Sequence, residues 1–388
     1  MRQLPESIQP PPATQDSSGK VGWKMIMPGF LGLFLSFLLV VSLIAYGLLL
    51  YDQTHLQKLR KTSVLEGVEQ AVTDIELTFS NVLSDLRILA ESDAVSALMS
   101  GDEKARVALA SELLVFSRHK GLYDQVRFLD TGGMEKVRIN YHAGRPAIVP
   151  EGALQNKKGR YYFEDTLRLS RGEVFVSPLD LNIERGEIEQ PLKPMIRFGM
   201  PVFGSDGRKK GIVLLNFLAE RLVSRFSRVA LDDDETRSLL NRDGYWLSGP
   251  DSREEWGFMF PERKELTFGN RFPVAWREIL ANKSGSFQGE MEQFVYTTVY
   301  PISPELHSST GAGKAYLPSS GQLEARDYVW KVVAKYPTIS LLDLIRDPNF
   351  LFHTFWPCLE LPLAPGSAVA HATRHGRCSN TLKTAVQN

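Results

Sequence analysis

The chain has 388 residues, with Lys plus Arg and Asp plus Glu equal at 45 each. Single hydrophobic cores rarely grow past about 250–300 residues, so two or three compact units are expected rather than one. A balanced charge supplies no global field toward nucleic acid or an anionic surface, and nothing supports a nucleic-acid partner.

Residues 1–24 form a leader rich in proline (Pro5, Pro10, Pro11, Pro12), a composition expected to stay disordered and placed here on the cytoplasmic side. From Met25 to Tyr51 there is no charged side chain, and Leu, Phe, Val and Ile dominate. Roughly 20 such residues cross a bilayer, so residues 25–51 read as an uncleaved transmembrane helix in contact with lipid. A cleaved signal peptide would have a shorter apolar core and a small-residue cleavage site, and neither is present. Lys20 and Lys24 precede the span while Lys58, Arg60 and Lys61 follow it, so the positive-inside rule leaves its orientation open. Everything expected to fold lies after the span, which makes a small cytoplasmic tail and a large exported body the economical topology.

Residues 52–120 read as a stalk and N-terminal helices. Leu65, Val68, Val72, Ile75, Phe79, Val82, Leu86 and Leu89 recur at alternating steps of three and four, an apolar helical seam over about three heptads. The seam suits either a stalk that pairs two copies or a helix packed along its own domain. A second helix is expected from Ala94 to about His119.

Two related mixed α/β modules follow, at 121–230 and 231–337. In the first, Gln125 to Tyr141 holds two strands around Asp130, Thr131, Gly132 and Gly133, with Val137, Ile139 and Tyr141 alternating against Lys136, Arg138 and Asn140. A loop-rich segment from Gly144 to Pro194 contains Tyr161, Tyr162 and Phe163. Met195 to Phe203 and Gly211 to Phe217 then pair around the turn Ser205, Asp206, Gly207. The second module repeats the order: strands within Ser238 to Ser248 around Asn241–Gly244, then Phe294 to Ile302 and Tyr328 to Lys335, separated by a flexible Ser/Gly-rich insertion, His307 to Gly321. Residues 338–388 hold an expected return helix, Ser340 to Arg346, then a tail broken by Pro357, Pro362 and Pro365 in which no second clean membrane helix is visible.

The stretch "GRYYFEDTLRLSRGEVFVSPLDLNIERGEIEQPLKPMIRFGMPVFGSDGRKKGIVLLNF", Gly159 to Phe217, resembles the membrane-distal module of double Cache (tandem PAS-like) sensors, as does "YDQVRFLDTGGMEKVRINY", Tyr123 to Tyr141. Such sensors stand at the front of bacterial histidine kinases and diguanylate cyclases. The resemblance implies an α/β (α+β) fold: a transmembrane and long stalk helix, then a membrane-distal and a membrane-proximal sensor module. It further implies a homodimer through the stalk, held in the bacterial inner membrane with the body in the periplasm or outside. Such sensors act through a second span on a cytoplasmic output domain. No phosphoacceptor histidine helix, ATP-binding glycine boxes or GGDEF-like loop follows Pro348, so the tail reads as a frame-altered or truncated remnant and the chain as a non-enzyme.

A small-ligand site needs an apolar wall with a few fixed polar groups. Arg138 and Asn140 share the polar face of one strand, Tyr161, Tyr162 and Phe163 supply rings, and Arg197 lies on the next strand pair. Arginine grips a carboxylate bidentately, and Asp165 or Asp180 could meet an amine, so the expected ligand is a carboxylate or an amino acid. The alternative is structural: Arg138 and Arg197 pair with Asp165, Asp180 or Glu184, and the rings simply pack.

Other motifs are weaker. Gly311–Lys314 is similar to a phosphate loop but lacks the upstream glycine, at Ser308, and the hydroxyl, at Ala315. His371 and His375 have helical spacing without a third ligand, and the acidic run Asp232–Glu235 reads as a solvated linker. Cys358 and Cys378 match no zinc or redox pattern, and no cofactor or metal is expected. The competing class is a membrane-anchored extracytoplasmic enzyme or stand-alone binding or adaptor protein, for which no nucleophile, base and orienting acid assemble.

Overall fold

A computed structural model describes residues 23–100, 102–142, 144–184, 186–228, 235–312, 317–338 and 340. Asp232–Asp234, Gly313, Lys314, the return helix apart from Ser340, the tail histidines and both cysteines lie outside the described residues. The chain falls into two units, Met1–Gln57 with Ile339–Asn388, and Lys58–Thr338.

Helix α1 runs unbroken from Trp23 to Ala90. In the first unit its apolar stretch meets the length and composition needed to cross a membrane, and Phe30, Leu33, Phe37 and Leu39 on it are exposed.

In the second unit the seam of α1 packs into the chain's own core. Val68, Ile75, Phe79, Val82, Leu86 and Leu89 are buried there, while Val64 takes the place expected for the exposed Leu65. Of the two readings of the seam, packing along its own domain holds; a second copy would have to use another face. The helix expected over 94–119 is two: α2 (Asp93–Met99) and α3 (Glu103–Lys120). Asp102 ends the continuity by accepting a 2.9 Å hydrogen bond from Lys104 N, a side-chain cap competing with the helical ladder.

Next come β1 (Tyr123–Asp130), β2 (Glu135–His142) and β3 (Arg145–Ile148). The expected loop then contains helix α4 (Tyr161–Arg168) and strands β4 (Val174–Val176), β5 (Asp180–Leu181), β6 (Ile183–Glu184) and β7 (Glu187–Ile188). The long hairpin β8 (Pro194–Phe203) and β9 (Lys209–Leu218) leads into α5 (Glu220–Arg228). The second half holds β10 (Thr236–Asn241), β11 (Trp246–Ser248), α6 (Phe268–Arg271), α7 (Pro273–Ala281), β12 (Ser284–Gln288) and β13 (Glu292–Val299). It ends with β14 (Leu306–Ser309), β15 (Gln322–Leu323) and β16 (Trp330–Pro337).

The first sheet has the order β15-β14-β4-β8-β9-β1-β2-β3, with β5 also on β8; the second is β11-β10-β16-β13-β12. The start of the insertion expected to be flexible thus lies in β14, where Leu306 and Ser308 pair in parallel with Val174 and Val176, and β15 follows directly after its end. This strand pairing satisfies backbone groups that a loose loop would leave to solvent.

Alternation of side chains along β1, β2, β8 and β9 creates two faces. Val126, Phe128, Val137, Ile139, Phe198 and Leu215 lie in the core with α1 and α3, a core that continues through Trp330 and Val332 into the second sheet. Phe79 of α1 is its junction, edge-on to Phe198 and Trp330 with ring centroids 5.5 Å away from each. The opposite face of the first sheet carries Leu129, Ile212 and Leu214 under α4, and beyond them a set of polar side chains.

Candidate functional site

The polar end of that face is written in the register. Gln125 of β1 stands across from Asn140 of β2 and Asn216 of β9, and Asn216 across from Arg197 of β8. Each sits in a strand whose alternate residues are buried and apolar, so each side chain is forced onto the same face.

Helix α4 caps this face. Its first turn is closed by Glu164, whose carboxylate accepts a hydrogen bond from Gly159 N at 3.0 Å. The helix thereby delivers Tyr162 to two guanidiniums: Arg127 lies 5.6 Å and Arg197 5.3 Å from its ring centroid.

Beside Tyr162 opens a polar cavity of about 230 Å³, lined by Arg127, Lys157, Arg160, Arg197, Gln125 and Asn216 among others, with Glu184 at its exposed rim. Arg127 is buried; it donates to Asn216 Oδ1 at 2.6 Å and lies 3.5 Å from Glu135 Oε1, and its Nε has no hydrogen-bond partner. Arg197 donates to Asp180 Oδ1 at 2.9 Å and to Asn182 Oδ1 at 3.0 Å. Glu135 is fully buried beneath and also accepts from Arg138 at 2.8 Å.

Electrostatics follow the crowding of cations. Burial raises the Tyr162 phenol, but Arg127, Lys157, Arg197 and Arg160 outweigh it and hold the pKa below the usual tyrosine value. Burial lowers Lys157. Asp180 is raised by burial despite the charge of Arg197, and Tyr161 is raised by burial and by Asp180.

Of the residues singled out in the sequence, Tyr162 and Arg197 line the cavity. Asp180 holds Arg197, and Tyr161 points its hydroxyl at Asp180, 3.5 Å away. Arg138 is turned to Glu135 and to Ala153 O, and Asn140 keeps a buried Oδ1 without a hydrogen-bond partner outside the cavity lining. Phe163 is core under the sheet. Asp165 is not part of the cavity lining; its Oδ1 accepts from Arg168, Ser319 and Gln322 at 3.2 Å each, and its buried Oδ2 has no hydrogen-bond partner. The pairing expected on the structural alternative is seen for Arg197 with Asp180, while Arg138 is paired with Glu135, a partner that was not expected; neither Asp165 nor Asp180 lines the cavity.

Sequence reasoning missed Arg127, Lys157, Arg160 and Asn216. Two left a signal: Asn216 interrupts the apolar run Gly211–Leu218, and Arg127 sits between Val126 and Phe128. A polar residue inside a buried strand needs a specific partner, and these two partner each other.

The family model for the bacterial histidine kinase sensor domain matches residues 71–308. Among solved structures, the extracellular domain of a protein assigned as a histidine kinase aligns with TM-score 0.59 and 21% identity, over 75% of this chain and 96% of that one. A domain of a Vibrio parahaemolyticus protein assigned to the sensory box/GGDEF family aligns with TM-score 0.57 and 20% identity, over 72% and 98%. The ligand-binding domain of a Pseudomonas aeruginosa amino acid chemoreceptor, solved with GABA, aligns with TM-score 0.45 and 16% identity, over 71% and 98%. Curated proteins give no match. At these identities the structural likeness establishes the fold alone.

Proposed function

Because the chain belongs to the bacterial histidine kinase sensor-domain family, we propose that it is the extracytoplasmic sensing region of a membrane receptor, tethered by the apolar part of α1, and that its stimulus is a small polar molecule held in the cavity beside Tyr162. The observation that carries this reading is the pair of buried guanidiniums, Arg127 and Arg197, both within 5.6 Å of the centroid of one tyrosine ring at the edge of a polar cavity. Buried cations oriented by Asn216, Asn182 and Asp180 are preorganised, so a ligand there gains charge-assisted bonds without ordering the side chains itself.

A route from the cavity to the membrane follows from chain connectivity. Strand β1 carries Arg127 at the cavity and Tyr123 near its start, and Tyr123 bonds to Asp85 on α1. A ligand that prefers one placement of β1 biases α1 by its differential affinity for the two arrangements.

The test is thermal stabilisation of the full-length chain in lipid nanodiscs against a panel of small carboxylates, amino acids, amines and sugars. A hit is expected to raise Tm and to lose that effect in Tyr162→Ala. Stabilisation that persists in Tyr162→Ala and Arg197→Met would place the ligand elsewhere.

A further inference from the structure

We propose that the cavity beside Tyr162 selects a small dianion and rejects the corresponding zwitterion; the inference rests on the ligand site proposed above. Four cationic side chains, Arg127, Lys157, Arg160 and Arg197, line a space of about 230 Å³. The carboxylates near them are already committed. Glu135 is buried beneath the lining and shared by Arg127 and Arg138, with Lys157 Nζ 4.0 Å away. Asp180 is engaged by Arg197, and Asp165, outside the cavity lining, accepts from Ser319 and Gln322.

Among the described residues lining the cavity, the one carboxylate is Glu184, and it sits exposed at the rim. An ammonium group entering the cavity would meet guanidinium and lysine groups on the lining, while the carboxylates that pair with them, Glu135 and Asp180, are not part of it. Like charges brought together away from water repel strongly. Two negative charges on one small molecule reverse that sign at every contact. The buried Arg127 Nε, without a hydrogen-bond partner, adds a donor held in place before any ligand arrives. A short dicarboxylate or a phosphate-sized group fits a space of about 230 Å³.

The test compares succinate, inorganic phosphate and aspartate by titration calorimetry on the full-length chain in nanodiscs. Aspartate has the succinate skeleton with one ammonium added, so the pair isolates the charge that the cavity is proposed to reject. Succinate or phosphate is expected to bind at least about tenfold more tightly than aspartate, with an affinity that falls as salt rises. Which of the two binds tells a dicarboxylate from a phosphate source. Lys157→Met, which leaves Glu135 paired with Arg127 and Arg138, is expected to erase most of that preference, and Arg160→Gln to reduce it. Aspartate or serine binding as tightly as succinate, with loss of binding in Tyr162→Ala, would overturn the charge selection while leaving the site in place. Binding of neither dianion at millimolar concentration would also overturn it. Dianion binding unaffected by Tyr162→Ala and Lys157→Met would overturn the site itself.

Discussion

Tyr123 Oη donates a 2.6 Å hydrogen bond to Asp85 Oδ2 inside the core, tying the strand that carries Arg127 to the long helix. Lys120 meets the other oxygen of the same carboxylate at 2.7 Å. Tyr123→Phe removes one donor and leaves a buried carboxylate oxygen unsatisfied, so the chain should lose about 1–3 kcal/mol of stability, read as a lower denaturation midpoint. Asp85→Asn keeps an acceptor for Tyr123 and should cost less than Asp85→Ala. If ligand binding is transmitted through this bond, Tyr123→Phe should retain ligand affinity while losing ligand-induced changes in the hydrogen exchange of α1.

Stability should also fall on the alkaline side. Burial and Asp85 push the Tyr123 phenol far above its ordinary value of about 10, so the folded state keeps a proton that the unfolded state releases. The contribution is therefore complete below about pH 10 and is lost as pH rises above it. Tyr123→Phe should flatten the fall without abolishing it, because burial raises Tyr161 and Tyr328 as well. A Tm profile from pH 8 to 11 in both proteins tests the sign.

Arg197→Met should destabilise the fold by about 3 kcal/mol, because Asp180 loses the one ion-pair partner it has among the described residues. Asp180→Asn in the same background should restore much of the loss, since the stranded charge is gone. A double-mutant cycle that shows no coupling between the two positions would contradict the pairing.

Gly199 on β8 lies where a Cβ would come within 2.2 Å of Thr166 Oγ1 and 2.8 Å of its Cγ2. Thr166 is fully buried on α4, one turn after Tyr162, whose carbonyl accepts its hydroxyl at 2.6 Å. Gly199→Ala should therefore push α4 off the sheet, cost about 1–3 kcal/mol and weaken ligand binding through Tyr162. Adding Thr166→Ala removes both clashing atoms and should recover part of each effect.

Asp165→Ala should loosen the strand pair contributed by β14 and β15, because Ser319 and Gln322 of that segment both donate to Asp165 on α4. Faster amide exchange over residues 306–323, with ligand affinity little changed, is the expected result. Unchanged exchange would show that pairing with β4 alone holds the segment.

Local chemistry made much of the fold legible in advance. Asp130 Oδ1 accepts from Gly132 N and Met134 N at 2.9 Å each, the self-contained turn that its sequence announces, and the hairpin of β8 and β9 was equally plain. Helix α4 was not, because it is eight residues long and opens with three aromatic side chains, and what makes it a helix is the sheet it covers. The strand Leu306–Ser309 was hidden for a related reason: its partner, Val174–Val176, lies more than a hundred positions earlier in the chain.

The sequence by itself determined the apolar span, the period-two faces of the long strands and the turns between them, since each depends on residues close together in the chain. Only the tertiary structure decided which side chains serve the cavity. Arg127 and Asn216 are 89 positions apart and meet through strand register, while Asp165 and Asp180, both plausible partners for an amine, are spent on Gln322 and Arg197. Coulomb energy depends on distance through space, and that distance is set by how the sheet and α4 come together.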